Sequence, residues 1–318
     1  MIYSSERNRT ARSDNSSGRR PGNVVLVLIA VACTVTAVGV ILATTGRFPS
    51  LGNRTGITPD DVAQLWEDQQ YAEIAEITGR FLADDPLQPE SLVFHGLATY
   101  YQLADNPDGR NDSEALFASI ASLRRARVLS EVPHRRELEY TLGLAYFELG
   151  EEYNDLAVEH LENALELGAE GATIHEFLGL AYRDLGKLER SSEHFLKAAQ
   201  TAPRDVLFLT IANVYIEKGR AEAAKEYLDR IITGSDEPSL VHEARLALGN
   251  IYLEAEHFED AYRQFDVVLE ENPNSADAHY HLGEYYYRQE DSVRARAHWR
   301  NAVNLDSGHL EALQRLGS

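Results

Sequence analysis

The sequence predicts an all-α protein, a solenoid of about seven stacked helical hairpins preceded by one transmembrane helix. Two observations support this fold class. A short phrase recurs, first as Leu142-Gly143-Leu144-Ala145-Tyr146 and then as Leu178-Gly179-Leu180-Ala181-Tyr182. Well before it, residues 24–43 form an apolar run of twenty positions without a charge.

The phrase returns with nearly constant spacing. Degenerate copies occur at 212–215, 248–252 and 282–286, and the steps between the equivalent small residues (143, 179, 212, 249 and 283) are 36, 33, 37 and 34. A period near 34 is typical of one helical hairpin repeated along a chain. Stacked hairpins present a groove that binds other proteins, so the pattern favours a binding function over catalysis.

The apolar run has the length of a membrane span. Twenty helical residues extend about 30 Å, the thickness of a bilayer core. The tail before it carries more arginine than the flank after it, which predicts a cytoplasmic N-terminus and an extracytoplasmic array. We therefore expect a single-pass inner-membrane protein with a disordered basic tail (1–22), an anchor helix (23–45), a flexible linker (46–57) and the solenoid (58–318).

Cleavage near Cys33 is the alternative for this segment. Ala30-Val31-Ala32 before Cys33 has the character of a signal-peptidase or lipoprotein site. Either reaction would leave the strongly apolar residues 34–43 at the mature N-terminus, so we favour the uncleaved anchor. Cys33 is the only cysteine, which rules out an intrachain disulfide.

The charge balance limits the classes of partner. Acidic residues outnumber basic ones by 51 to 30, for a formal net charge of −21. An acidic chain repels phosphate backbones, so we expect no nucleic-acid partner. The same charge would favour basic protein partners at long range.

The repeats resemble the tetratricopeptide repeat. That family places Leu-Gly at repeat positions 7 and 8, Tyr at 11, Ala at 20, an aromatic residue at 24 and Pro at 32. The repeat that starts at Ala172 matches with Leu178-Gly179, Tyr182, Phe195 and Pro203, and Ser191 replaces the usual Ala. The resemblance implies a right-handed superhelix with regular repeats at 136–171, 172–204, 205–238, 242–275 and 276–309, and degenerate repeats at 55–88 and 89–130.

The pattern has a packing interpretation. Small residues at positions 8 and 20 let the two antiparallel helices approach closely, and Pro at 32 ends the second helix. We expect the aromatic residue at 24 and Tyr at 11 to fill the space between neighbouring hairpins. Residues 310–318 resemble the first half of a further repeat.

No motif in the chain predicts catalysis or a cofactor. His279 and His281 are two residues apart and point to nearly opposite faces of a helix, while His175 and His279 occupy a packing position. The loop 104–112 has a weak likeness to a calcium loop, but alignment on Gly109 puts Ala104 and Ala115 where oxygen ligands are required. We therefore expect no metal, no cofactor and no enzyme.

The resemblance implies that the first helix of each hairpin lines a groove through positions 2, 5, 9, 12 and 13. Asn213 and Asn250 both occupy position 9, where peptide-binding members of the family hydrogen-bond the ligand backbone. Position 5 has Leu where a clamp for a C-terminal carboxylate needs Lys, so apolar ligand side chains fit better. The candidate peptide-binding residues are Leu209, Asn213, Ile216, Leu246, Asn250, Leu253, Tyr280, Tyr287 and Arg288.

Two interpretations of the Asn pair stay open at this point. Either the amides bind a ligand, or they are solvated or bonded within the groove wall. We expect Leu209, Ile216 and Leu253 to be exposed beside them, which favours a ligand.

These features predict a membrane-tethered scaffold or adaptor that binds peptide segments or assembly partners, in envelope, secretion or pilus-type assembly. The alternative is a structural module that self-associates into a homo-oligomer. An exposed aromatic surface on the last hairpin, formed by Tyr285, Tyr286, Tyr287 and Trp299, would favour that alternative.

Overall fold

The computed structural model describes residues 59–105 and 113–317. The predicted tail, anchor, cleavage site and linker lie outside these residues, as does most of the loop 104–112. Among the helices of the described ranges, none combines the length and the apolar character that a membrane crossing requires.

The described residues fold into α-helices joined by short turns, without strands. The helices are α1 (Pro59–Glu67), α2 (Tyr71–Asp84), α3 (Pro89–Ala104), α4 (Ser113–Arg127), α5 (Arg135–Leu149), α6 (Asn154–Glu166), α7 (Ala172–Asp184), α8 (Leu188–Thr201), α9 (Asp205–Glu217), α10 (Ala221–Gly234), α11 (Pro238–Glu254), α12 (Phe258–Glu271), α13 (Ala276–Arg288), α14 (Ser292–Leu305) and α15 (Leu310–Gly317).

The helices stack as hairpins in chain order. Each odd-numbered helix from α1 to α13 packs against the helix that follows it, and each hairpin packs against the next. The first helices of several neighbouring hairpins also touch directly, namely α3 with α5, α5 with α7, α9 with α11, and α11 with α13. The first helices therefore share one face of the array, and the all-helical solenoid is confirmed for the described part of the chain.

One turn recurs between the two helices of a hairpin. Gly186 and Gly219 have φ of +70°, and Glu256 and Glu290 hold the same place with φ of 59° and 60°. The amide of the next residue then bonds back to the carbonyl of the repeat's Tyr, as in Lys187 N to Tyr182 O at 2.8 Å. This left-handed residue ends the first helix and reverses the chain.

The aromatic residue at position 24 lies within its own hairpin. A Cβ placed on Gly179 would come 2.7 Å from Cε1 of Phe195, and Phe265 and Trp299 cover Gly249 and Gly283 in the same way. Phe195 also shares a buried cluster with Leu207 of the next hairpin, and Phe265 with Ala278, so the ring packs both within its hairpin and towards the next one. The missing glycine side chain leaves a hollow in the first helix that the ring of the second helix enters.

The observed helix ends can be compared with the predicted repeat boundaries. Helix α11 begins at Pro238, four residues before the predicted repeat start at His242, because proline at N1 is well suited to begin a helix. Between α5 and α6 the residues Glu151–Tyr153 form a 3-10 turn. Pro203 and Pro273 follow the ends of α8 and α12, as predicted.

Candidate functional site

Asn213 and Asn250 lie on the first helices α9 and α11, which are in direct contact. Both side chains are half-exposed. Neither amide makes a side-chain hydrogen bond to any residue in the described ranges. The two amides therefore do not bond within the groove wall in the described ranges. Both are open to solvent.

The leucines at positions 5 and 12 of these repeats are not exposed. Leu209, Leu246 and Leu253 expose 7%, 8% and 3% of their surface. Leu246 and Leu253 pack with Phe265 and with Ala278 of the next hairpin. The expectation that Leu209 and Leu253 line an open groove is therefore wrong, because stacking the next hairpin covers them.

Ile216 is the apolar candidate that stays open. It exposes 37% of its surface on the last turn of α9, one turn beyond Asn213. The candidate surface around α9 and α11 consequently consists of two free amides and one apolar side chain, rather than a broad apolar groove.

The candidates of the Ala276 repeat are partly covered by α15. The Arg315 guanidinium lies 5.3 Å from the Tyr287 ring centroid and donates to Glu284 Oε1 at 2.8 Å. Tyr280 is half-buried, and Arg288 pairs with Glu254 of the preceding hairpin. Tyr287 and Arg288 thus contact neighbouring elements, α15 and α11, although Tyr287 keeps half of its surface exposed.

Ion pairs across hairpin boundaries recur at the ends of the first helices. Arg183 Nε donates to Glu217 Oε1 at 3.1 Å, and the residues are 34 positions apart. Arg288 and Glu254 are also 34 apart. Each pair joins one repeat to the next, so these charges serve the stacking of the array.

A buried carboxylate on α7 was not among the predicted residues. Glu176 occupies position 5, where the next two repeats have Leu, and it pairs with Arg204. Burial raises the pKa of Glu176 in spite of that pairing. Its Oε2 is buried without a hydrogen-bond partner among the described residues. A charged residue at a position that otherwise holds Leu is the sequence signal that would have indicated it.

A second buried carboxylate, Glu139 on α5, is fully bonded. Its Oε2 lies 2.6 Å from His160 Nδ1, and its Oε1 accepts from Arg127 Nε at 2.8 Å. Burial would raise the pKa of Glu139, but the bonds from His160 and Arg127 outweigh it and the pKa is lowered. This cluster ties α4, α5 and α6 together and has no open position for a ligand.

No group of three or more His, Cys, Asp and Glu side chains with the geometry of a metal site occurs in the ranges 59–105 and 113–317.

Two family models match the chain. Both describe the tetratricopeptide repeat, one over residues 140–206 and 246–308 and the other over 207–233. The matched residues include both Asn213 and Asn250.

Curated relatives share part of the chain at low identity. Anaphase-promoting complex subunit 3 of Schizosaccharomyces pombe is 23% identical over 243 residues, which cover 76% of this chain and 34% of that protein. Anaphase-promoting complex subunit CDC16 of Saccharomyces cerevisiae is 27% identical over 141 residues, 43% of this chain and 17% of that protein. The TPR repeat-containing protein MJ1428 of Methanocaldococcus jannaschii is 25% identical over 42% of this chain and 23% of its own length. The chain thus spans between 17% and 34% of the length of these relatives.

Solved structures resemble the chain at lower sequence identity. Pseudomonas aeruginosa pilF is 18% identical with a TM-score of 0.49 and covers 70% of this chain and 97% of its own. YrrB, a TPR protein with an unusual peptide-binding site, is 20% identical with a TM-score of 0.42 and covers 77% of this chain and all of its own.

The recurring glycine-aromatic contact, the left-handed turn and the matched models agree over the same residues. Residues 140–233 and 246–308 are therefore similar to the tetratricopeptide repeat in sequence.

Proposed function

We propose that this protein is a membrane-tethered scaffold that binds an extended segment of a partner protein along α9 and α11. The observation that carries the proposal is the pair of half-exposed amides, Asn213 and Asn250, with no bond to the described protein. They occupy equivalent repeat positions on helices that touch. A side-chain amide both donates and accepts, which matches the backbone of an extended peptide.

Chemistry around the amides restricts the ligand. Ile216 offers one exposed apolar contact, and the net charge of −21 favours a segment with basic residues. We propose binding rather than catalysis, in an envelope, secretion or pilus-type assembly.

Site-specific photocrosslinking tests the binding face. A photoreactive residue at 213 or 250 in the full chain should capture a protein partner in cells. The control replaces Glu226, which is exposed on the second helix α10, with the same photoreactive residue. This variant should capture no partner. Equal capture from 226, or no capture from 213 and 250, would remove the support for this face.

The membrane location rests on residues 24–43, which the structure does not describe. We propose that they anchor the protein in the inner membrane with the array on the extracytoplasmic side. Alkaline phosphatase fused after Ser318 should be active in that topology. An active cytoplasmic reporter at the same position would reverse it.

Self-association is the second candidate. Trp299 is buried against Gly283, and Tyr285 and Tyr286 are half-buried, so the expected aromatic surface is reduced to Tyr287. The observation that favours self-association is instead Leu310 on α15, which exposes 67% of its surface. Light scattering decides: a dimer that Leu310→Glu dissociates supports this candidate, and a strict monomer contradicts it.

A further inference from the structure

Two hairpins carry the same histidine pair in the same repeat positions. His175 of α7 faces His194 of α8 with their Nδ1 atoms 3.0 Å apart. His279 of α13 faces His298 of α14 with their Nδ1 atoms 3.1 Å apart. The members of each pair are 19 residues apart, so no local ligand motif in the sequence contains both.

The distance between the nitrogens suits one shared ion. A zinc–nitrogen bond is about 2.0–2.1 Å long, so two nitrogen ligands lie about 2.9 Å apart at a right angle and about 3.4 Å apart at the tetrahedral angle. The 3.1 Å separation of His279 and His298 falls within this interval. Without an ion, the same distance accommodates a hydrogen bond between two neutral rings.

The ring of His298 is already held in place. Tyr286 stacks on His298 at 5.3 Å between centroids and 26° between planes.

We propose that Nδ1 of His279 and Nδ1 of His298 together bind one divalent transition-metal ion, Zn²⁺ or Cu²⁺, which joins α13 to α14. Imidazole nitrogen suits both ions. Both rings are half-exposed, so water molecules can complete the coordination. The donor ring loses its Nδ1 proton to solvent and gains one at Nε2, which leaves both rings neutral and releases no net proton.

The other pair is an internal comparison with the same geometry. His194 exposes only 5% of its surface, so the His175–His194 pair has no room for the additional water ligands. We therefore expect one ion per chain, at His279 and His298.

Metal titration tests the proposal on the full chain in detergent, without a polyhistidine tag. Calorimetry with ZnCl₂ should show one zinc equivalent whose affinity falls more than about tenfold in His298→Gln and His279→Gln. The variants His194→Gln and His257→Gln should still bind one zinc ion per chain. His257→Gln is a control because it removes an exposed histidine. Electron paramagnetic resonance of the Cu²⁺ form should show two nitrogen ligands in the wild type.

Three results would overturn the site: a wild type that takes up no zinc, a His298→Gln variant that binds like the wild type, or an equal loss in His257→Gln. Circular dichroism establishes that each variant folds. If His298→Gln does not fold, because it removes the ring that stacks on Tyr286, the decision passes to His279→Gln and to the copper spectrum of the wild type.

Discussion

Phe195 of α8 occupies the space that a side chain on Gly179 of α7 would need. A Cβ at 179 would lie 2.7 Å from Cε1 of the ring, closer than real contacts of this kind. The ring is fully buried, so it has no open position to move into. This contact sets how closely the two helices of the hairpin approach each other.

Gly179→Ala should lower the free energy of unfolding by about 1–3 kcal/mol, because the added methyl group overpacks the contact with Phe195. Urea denaturation followed by circular dichroism measures this. Gly234→Ala is the control: a Cβ there meets nothing within 4 Å, and the helix should gain a few tenths of a kcal/mol up to about 1 kcal/mol.

A second variant separates overpacking from a general glycine effect. In the Asp205 repeat, Ala212 takes the glycine position and the smaller Leu228 takes the aromatic one, and both are fully buried. Phe195→Leu should therefore restore part of the stability of Gly179→Ala. A double variant no more stable than the sum of the two single losses would contradict this explanation.

Ser191 stands where the repeat usually has Ala, and its hydroxyl donates to the carbonyl of Gly179 at 2.7 Å. Ser119 makes the equivalent bond to Gly96 at 2.7 Å. Ser191→Ala should cost about 0.5–1.5 kcal/mol of unfolding free energy. Ala261→Ser at the equivalent place of the His242 repeat should be tolerated; a loss above about 2 kcal/mol there would show that the second helix has no room for a hydroxyl.

Glu256 adopts a left-handed backbone, with φ of 59°, at the turn where other repeats have glycine. Glu256→Gly should raise the melting temperature, since the strain relieved is about 1 kcal/mol. Gly219→Ala makes the reverse change at φ of +70° and should lower it by a similar amount. Changes of the same sign in the two variants would rule out backbone strain as the cause.

Glu139→Gln should cost about 1.5–3 kcal/mol at pH 7, because the single amide oxygen can accept from only one of His160 and Arg127 and the charge is lost. Glu159→Gln is the matched control. Glu159 also pairs with Arg127, at 3.3 Å, but it is exposed and should contribute well under about 1 kcal/mol.

The pH dependence of the Glu139 effect follows from its lowered pKa. The native state binds the proton less tightly than the unfolded state, so the contribution is complete above the unfolded pKa of about 4.3. It is lost as the pH falls through the native pKa. The stability difference between the wild type and Glu139→Gln should be constant from pH 5 to 7 and shrink below about pH 4. A difference that grows on acidification would contradict this.

Glu176→Gln should change the stability in the opposite direction from Glu139→Gln. Burial raises the pKa of Glu176, so the charged carboxylate is unfavourable in the native state at neutral pH. We expect Glu176→Gln to equal or exceed the wild type by up to about 1 kcal/mol at pH 7. Because both states protonate in acid, the advantage should vanish below about pH 4. A clear loss at pH 7 would mean that the pairing with Arg204 outweighs the burial.

The repeated hairpins could be predicted from the sequence because each depends on local signals. Leu-Gly followed by Tyr marks the first helix, and Pro203 and Pro273 mark the end of the second. Helix α11 begins at Pro238, four residues before the repeat boundary at His242, because the proline and not the repeat phrase starts this helix.

The candidate site could be predicted only in part. Asn213 and Asn250 occur at equivalent positions of the repeat, and that pattern is visible in the chain. The burial of Leu209, Leu246 and Leu253 depends on how the next hairpin stacks, which no local pattern reports. The same holds for the cover that Arg315 places over Tyr287.

The helical repeat, its period near 34 and the prolines that end the second helices could be read from the chain, because these features depend on contacts within one hairpin. Which side chains remain open to a partner, and which distant residues meet, depends on the packing of the helices. His279 and His298 face each other only because two antiparallel helices bring position 4 opposite position 23. The physical reason is that exposure and side-chain proximity depend on the stacking of helices, whereas helix formation and chain reversal depend on neighbours in the chain.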